Sequence, residues 1–193
     1  MKEDILEQIV EDYLQFKGFF TIHNVKFKPD KTAPGYRTKQ DAVASDIDVV
    51  GFHPMQRGAD RTWVVSCKSW GEGFDPKKHI DLIRKNKRIA GRPAWKSFRE
   101  LARKKWANAL IKEIRKLTGS GKFTHITAVT RLRSDESIWR EYSPFRANLK
   151  GNPIKILTLE VMLSELYEKT NTTVASSEVG RLLQVIKASG WKP

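Results

Sequence analysis

The sequence predicts an α/β domain, a mixed β-sheet flanked by α-helices. Three observations carry this. An apolar stripe at helical spacing opens the chain. Three β-branched or aromatic segments follow, joined by connections short enough for a meander. Later strand-like segments are separated by helical stretches, as parallel crossovers require. The 193 residues are about the size of one domain, and no internal repeat or low-complexity segment divides them. A single domain is therefore expected over 1–193, with its core over about 4–160 and a C-terminal helical extension over about 160–193.

Each element has its own signal. In residues 4–17, Ile5, Leu6, Ile9, Val10, Tyr13 and Leu14 form one apolar stripe, and Gly18 follows where a helix C-terminus expects glycine. Residues 19–27 are β-branched and aromatic, a strand. Residues 28–42 hold Pro29, Pro34 and Gly35 and read as a polar loop. Strands follow at 45–52 and 62–70, joined by a loop with Pro54 and Gly58. After Gly71 and Gly73, a long basic helical region is expected over 77–90 and 94–117, broken at Pro93. Its Trp95, Phe98, Leu101, Ala102, Trp106 and Leu110 make a core-facing stripe. Strands are expected at 123–132 and 154–159, with helices at 134–142 and 160–169. The polar run 170–177 reads as a linker, with Ser176 or Ser177 capping a last helix through Ala188.

Charge narrows the partner. The chain carries 36 basic and 22 acidic side chains, net +14. Residues 77–133 alone hold 18 basic and three acidic residues, so the middle third supplies the surplus. Charge placed only for solubility would be spread evenly; this points to a polyanion. The one cysteine, Cys67, excludes a disulfide framework and fits a reducing cytoplasm. The first eight residues lack the apolar segment of a signal peptide, and no apolar run approaches the roughly 20 residues that span a bilayer.

The chemistry is expected where apolar strands carry charge. By alternation, Val64, Ser66 and Lys68 share one face and Val65, Cys67 and Ser69 the other. Likewise Asp46, Asp48, Val50 and Phe52 share a face, with Ile47 and Val49 opposite. If the two strands pair, Asp48 sits beside Ser66 and Lys68. A charge projecting from an apolar strand is costly unless paired or used. Spacing alone leaves both a structural Asp–Lys pair and a site open. Glu7 lies about 110° from the centre of the first helix's stripe, on the flank from which a carboxylate reaches past the helix edge.

These motifs resemble the PD-(D/E)XK nuclease superfamily, and within it the Mrr-like restriction endonucleases and Holliday-junction resolvases. The resemblance rests on Glu7 in Leu6-Glu7-Gln8-Ile9-Val10, Gly18-Phe19 opening a strand, Asp48 in Ile47-Asp48-Val49-Val50, and Val64-Val65-Ser66-Cys67-Lys68-Ser69-Trp70. It covers about residues 5–70 with motifs and continues to about 160 only as an order of elements. It implies a restriction-endonuclease-like fold with an α-β-β-β-α-β core, and a Mg²⁺- or Mn²⁺-dependent DNA endonuclease. Asp48 and Glu7 would then be metal ligands, and Lys68 would lie beside the attacking water. Serine at 66 departs from the family's Glu, Asp or Gln. Either Ser66 or its water suffices, or a carboxylate has moved to Glu72 or Asp75, or the chain is a non-catalytic DNA-binding protein on the same fold. A third reading is an RNA-associated protein with a structural Asp48–Lys68 pair.

Phosphate contacts are expected from Lys77, Lys78, Arg84, Lys85, Lys87, Arg88, Arg92, Lys96, Arg99, Arg103 and Lys104. A DNA partner implies a cytoplasmic, nucleoid-associated setting, and cutting both strands would suit a homodimer. Cys67 points away from Lys68 and is not expected to act as a nucleophile. His23, His53, His79 and His125 make no metal-ligand spacing.

Overall fold

A computed structural model describes residues 4–170 and 175–191. It is an α/β fold with a five-stranded mixed sheet between helices. The order is α1 (Ile5–Phe16), β1 (Phe20–Phe27), α2 (Thr38–Asp41), β2 (Ser45–Phe52), β3 (Thr62–Lys68), α3 (Pro76–Arg84), β4 (Arg88–Ile89), β5 (Arg92–Pro93), α4 (Arg99–Ala102), α5 (Lys104–Thr118), β6 (Thr124–Val129), α6 (Ser137–Arg140), α7 (Ser143–Asn148), β7 (Ile154–Thr158), α8 (Leu159–Lys169) and α9 (Glu178–Ala188). Single 3₁₀ turns occupy Gly58–Arg61 and Ala94–Phe98.

The main sheet runs β1-β2-β3-β6-β7. β1, β2 and β3 form the antiparallel meander, while β6 and β7 add in parallel after helical crossovers. Each face of the sheet has its own core. One packs Ile47, Val50, Val64 and Val129 against Phe98, Leu101, Trp106 and Leu110. The other packs Val49, Val65 and Ile126 against Leu6, Ile9, Val10 and Tyr13 of α1, with Met162 of α8. Gly51 permits the close approach of α1, since a Cβ there would lie 3.1–3.2 Å from Phe19 and Leu14 side-chain carbons. Asp4 caps α1 by accepting the Leu6 N–H at 3.0 Å, and Ser177 caps α9 by accepting the Gly180 N–H at 3.0 Å.

Several expectations need correction. The basic helix over 77–90 ends at Arg84, and a separate two-stranded ribbon, β4–β5, follows. Three left-handed residues cause this, Asn86 just past the α3 C-terminus and Ala90 and Gly91 in the ribbon turn. The break expected at Pro93 is displaced: a 3₁₀ turn and α4 precede α5, with an extended Arg103 between them. The third strand stops at Lys68 rather than Trp70, and the helix expected at 134–142 shortens to α6, with α7 added. The linker over 170–177 lies partly outside the described residues.

The loop over 28–42 is tied to the core. Asp41 is fully buried and accepts from Trp106 Nε1 at 3.0 Å, Lys105 Nζ at 2.6 Å and the Arg37 N–H at 2.7 Å. Lys105 also donates to the Gly35 carbonyl at 2.7 Å. Lys28 and Lys31 of this segment, with Lys26 of β1 and Lys104, Lys105 and Lys112 of α5, line a cavity of about 840 Å³ that includes neither Asp48 nor Lys68.

Candidate active site

Alternation holds on β3 and fails on β2. Val49 pairs with Val65 and Val50 with Val64, but the β2–β3 ladder ends there. Beyond it, Ile47 turns to the same core as Val50, against the expectation that it shares a face with Val49. The cause lies opposite. Asn24 of β1 has φ 53°, and the β1–β2 register skips the Asn24–Asp48 pair. The kink leaves the Asp48 carboxylate at the strand junction. There Asp48 Oδ2 accepts the main-chain N–H of Cys67 at 2.5 Å.

This places a carboxylate against the end of β3. Lys68 Nζ donates to Ser66 Oγ at 2.7 Å and to the Cys67 carbonyl at 3.1 Å, and lies 5.9 Å from the Phe98 ring centroid. Ser66 is buried; Asp48, Lys68 and Glu7 are half-buried. Burial pushes the Asp48 pKa up, and the Lys68 ammonium and the Cys67 N–H only partly offset it. Burial also raises Glu7, with a further push from the Asp48 and Asp4 carboxylates, so α1 brings Glu7 within electrostatic reach of Asp48.

One neighbour carries no obvious sequence signal. Glu100 of α4 is buried, at 4% exposure, in the field of both Asp48 and Lys68. Burial would raise its pKa, but the His125 side chain and the Lys68 ammonium outweigh this and hold it below the ordinary range. His125 Nε2 lies 3.3 Å from Glu100 Oε1 without the alignment of a hydrogen bond, so that oxygen has no aligned donor. Glu72, by contrast, lies exposed on the turn after β3. Asp75 is spent on the α3 N-terminus, accepting from the Lys78 N–H and Ser134 Oγ, each at 3.0 Å.

The structure thus places Ser66 and Lys68 in contact, sets Asp48 in the field of Lys68, Glu100 and Glu7, shows no Glu7 contact with Ser66 or Lys68 among the described residues, and leaves Glu72 and Asp75 aside. Among the described residues, no group of three or more His, Cys, Asp or Glu is arranged to hold a metal ion. The donor set fits a narrower case. Mg²⁺ is often held by one or two carboxylates, its remaining positions filled by water and substrate phosphate. Asp48 has Oδ1 free of the Cys67 contact and Glu7 lies within electrostatic reach of it, whereas Ser66 Oγ is engaged by Lys68.

The basic residues are dispersed over several elements. Lys77 and Lys78 are exposed on α3, Arg84 pairs with Asp81 at 2.8 Å, and Lys85, Lys87, Arg88 and Arg92 lie exposed on and beside the ribbon. Lys96 is half-buried and Lys104 exposed. Arg99 stacks on Trp106 and Arg103 on Trp95, each 4.9 Å from the ring. His79, buried, stacks on Trp70 at 4.7 Å and is no phosphate contact. Burial pushes the Cys67 thiol far up, so it is no ready nucleophile. Among the described residues, no helix is long and apolar enough to cross a membrane.

No family model matches this chain, and no curated protein matches it. One solved structure aligns, a protein of unknown function designated AF1548, at 17% identity with a TM-score of 0.40, covering 95% of this chain and 76% of the other.

Proposed function

We propose that this protein is a metal-dependent DNA endonuclease that hydrolyses phosphodiester bonds with Asp48, Glu7 and Lys68. The observation that carries this reading is the half-buried Asp48 carboxylate within the field of the Lys68 ammonium at one strand junction, each held by main-chain or hydroxyl contacts. A buried charge pair made only for stability is commonly matched by apolar residues of similar volume. Here the raised Asp48 pKa means the carboxylate is destabilised as it stands, the condition of a group awaiting a cation.

Asp48 Oδ1 and Glu7 would hold Mg²⁺ together with a substrate phosphate. When bound, the ion polarises the phosphate and yields a nucleophile near neutral pH. Lys68 holds a positive charge where negative charge grows on the phosphate. Ser66 orients the Lys68 ammonium through the 2.7 Å contact. With few protein ligands, the ion is expected to bind tightly only with DNA present.

Incubation with supercoiled plasmid and Mg²⁺ or Mn²⁺ tests the reading. Metal-dependent nicking that disappears in Lys68→Ala is expected; absence of nicking, or undiminished nicking by that variant, sinks it. That, among the described residues, no three His, Cys, Asp or Glu are grouped to hold a metal favours a second reading, a DNA-binding protein without catalysis. It predicts salt-sensitive DNA binding with no metal requirement.

A further inference from the structure

The segment between α3 and the Ala94–Phe98 turn is an arm with no core of its own. β4 and β5 pair only with each other, Arg88 opposite Pro93 and Ile89 opposite Arg92. The connection is two residues, Ala90 at φ 46° and Gly91 at φ 76°. Positive φ at both central positions is what a tight primed hairpin turn demands. The base is fixed: Lys87 donates its N–H to Leu82 O and Ala94 donates to Lys87 O, both at 2.9 Å, and Ala94 and Trp95 are buried. The arm therefore stands on a firm root that runs into Phe98, whose ring lies under Lys68, and its Arg88 borders an open cavity with Lys77, Lys78 and Asp81 of α3.

Its side chains are unlike those of a surface hairpin stabilised by pairing. Lys85, Lys87, Arg88 and Arg92 are exposed, and among the described residues none makes an ion pair with a carboxylate. Residues directly opposite in an antiparallel pair share a face, and neighbours along a strand alternate. Arg88 thus lies on one face of the ribbon and Arg92, beside Ile89, on the other. A ribbon meant to lie flat on a polyanion would concentrate its cations on one face. Cations on both faces, with a tip of only Ala90 and Gly91, suit insertion between two charged walls.

We propose that the β4–β5 ribbon enters the major groove of duplex DNA, with Arg88 and Arg92 reaching the phosphates of opposite walls. That groove is about 12 Å wide and admits a two-stranded ribbon. The deep, narrow major groove of A-form RNA does not. The inference rests on the nucleic-acid partner proposed above, but not on its chemistry.

The test uses the full chain in EDTA, with fluorescence anisotropy on a short labelled DNA duplex over a salt series. Arg88→Ala/Arg92→Ala is expected to lose affinity about 10- to 100-fold and to flatten the salt slope by about 2, one per lost phosphate contact. Arg88→Lys/Arg92→Lys is expected to retain most of both, because a phosphate accepts either cation. Dimethyl sulfate footprinting should show guanine N7, a major-groove atom, protected by the wild type and exposed with the alanine variant. An unchanged affinity and slope, equal loss in the lysine variant, unprotected N7, or equal binding of duplex RNA through the same arginines would overturn the proposal. Without divalent metal, these outcomes are independent of cleavage. A protein that grips DNA this way and never cuts would sink the nuclease reading alone. One that cuts while the alanine variant binds and cuts normally would sink only the ribbon.

Discussion

The carboxylate of Asp48 stands in for a main-chain carbonyl, accepting the Cys67 N–H at 2.5 Å where the β2–β3 ladder has ended. The substitution couples a titratable group to the strand that carries Lys68. It also fixes Asp48 in a place where burial disfavours its charge.

That coupling has a pH signature. Asp48 has a native pKa above its ordinary value, so the folded state holds the proton more tightly than the unfolded chain. Its contribution to stability is present at low pH and is lost as pH rises from the ordinary carboxylate range, about 4, through the raised native value. Asp48→Asn removes this loss. Its melting temperature, measured beside wild type from about pH 4 to about pH 7, should gain on the wild type as pH rises. A difference that stays flat would show that Asp48 is not destabilised when charged. Metal-dependent cleavage should vanish in the same variant.

Lys68→Ala separates binding from chemistry. The ammonium sits on β3, in contact with Ser66, rather than on the basic ribbon, so affinity for DNA in EDTA should change little. Single-turnover cleavage should fall by about 10²-fold or more, the usual loss when a group stabilising transition-state charge is removed. Equal losses in affinity and rate would place Lys68 among ordinary phosphate contacts.

Ser66→Asp probes the position where the chain departs from the nuclease pattern. The buried Oγ now accepts from Lys68, and a carboxylate there would join Asp48. Calorimetry should show tighter Mn²⁺ binding, by roughly tenfold or about 1.4 kcal/mol. A destabilised variant with no gain in metal affinity would count against metal at this junction.

Asp41→Ala should be the most damaging of these substitutions to folding. It strips buried partners from Trp106 Nε1, Lys105 and the Arg37 N–H. Removing one member of a buried charged network costs about 3–5 kcal/mol, readable as a shift in urea midpoint. Burial would raise the Asp41 pKa, but Lys105, the Arg37 N–H and Trp106 together hold it below its ordinary value. Its stabilising contribution is therefore complete above the ordinary carboxylate range and is lost as pH falls through the depressed native value. The wild-type advantage over Asp41→Ala should shrink on acidification.

What the sequence made legible was local. Alternation along 62–68 placed Ser66 and Lys68 on one face, and the meander placed Asp48 on the neighbouring strand. The apolar stripe of Trp95, Phe98, Leu101, Trp106 and Leu110 is buried as its spacing implies, although the helix carrying it is interrupted. What escaped depends on long-range partners. The kink at Asp48 arises from Asn24 on another strand. Asp41 is buried because Trp106 lies over it, and nothing in its own neighbourhood marks it. Glu100 left one faint trace. It is one of only three acidic residues in the basic third, and it lies between the apolar core positions Phe98 and Leu101, although, like Asp81 and Glu113, it has a basic residue three positions on. The ribbon escaped because a run of basic residues has strong helix propensity, and three left-handed residues, Asn86, Ala90 and Gly91, overrule it.

The parallel pairing of β3 with β6 also sets an order of events. Ser66 meets Thr127, roughly sixty positions further along, and the helices and ribbon of the basic third must be threaded between them. The β1–β2–β3 meander closes short loops and is expected to form early, while this contact waits for the larger entropy loss to be offset. Until it forms, Lys68 lacks the strand beside it and Asp48 lacks a dry environment. The proposed site would therefore be complete only late in folding. If the proposed nuclease reading holds, a nascent or misfolded chain would present its basic arm to nucleic acid well before it had any means to cut.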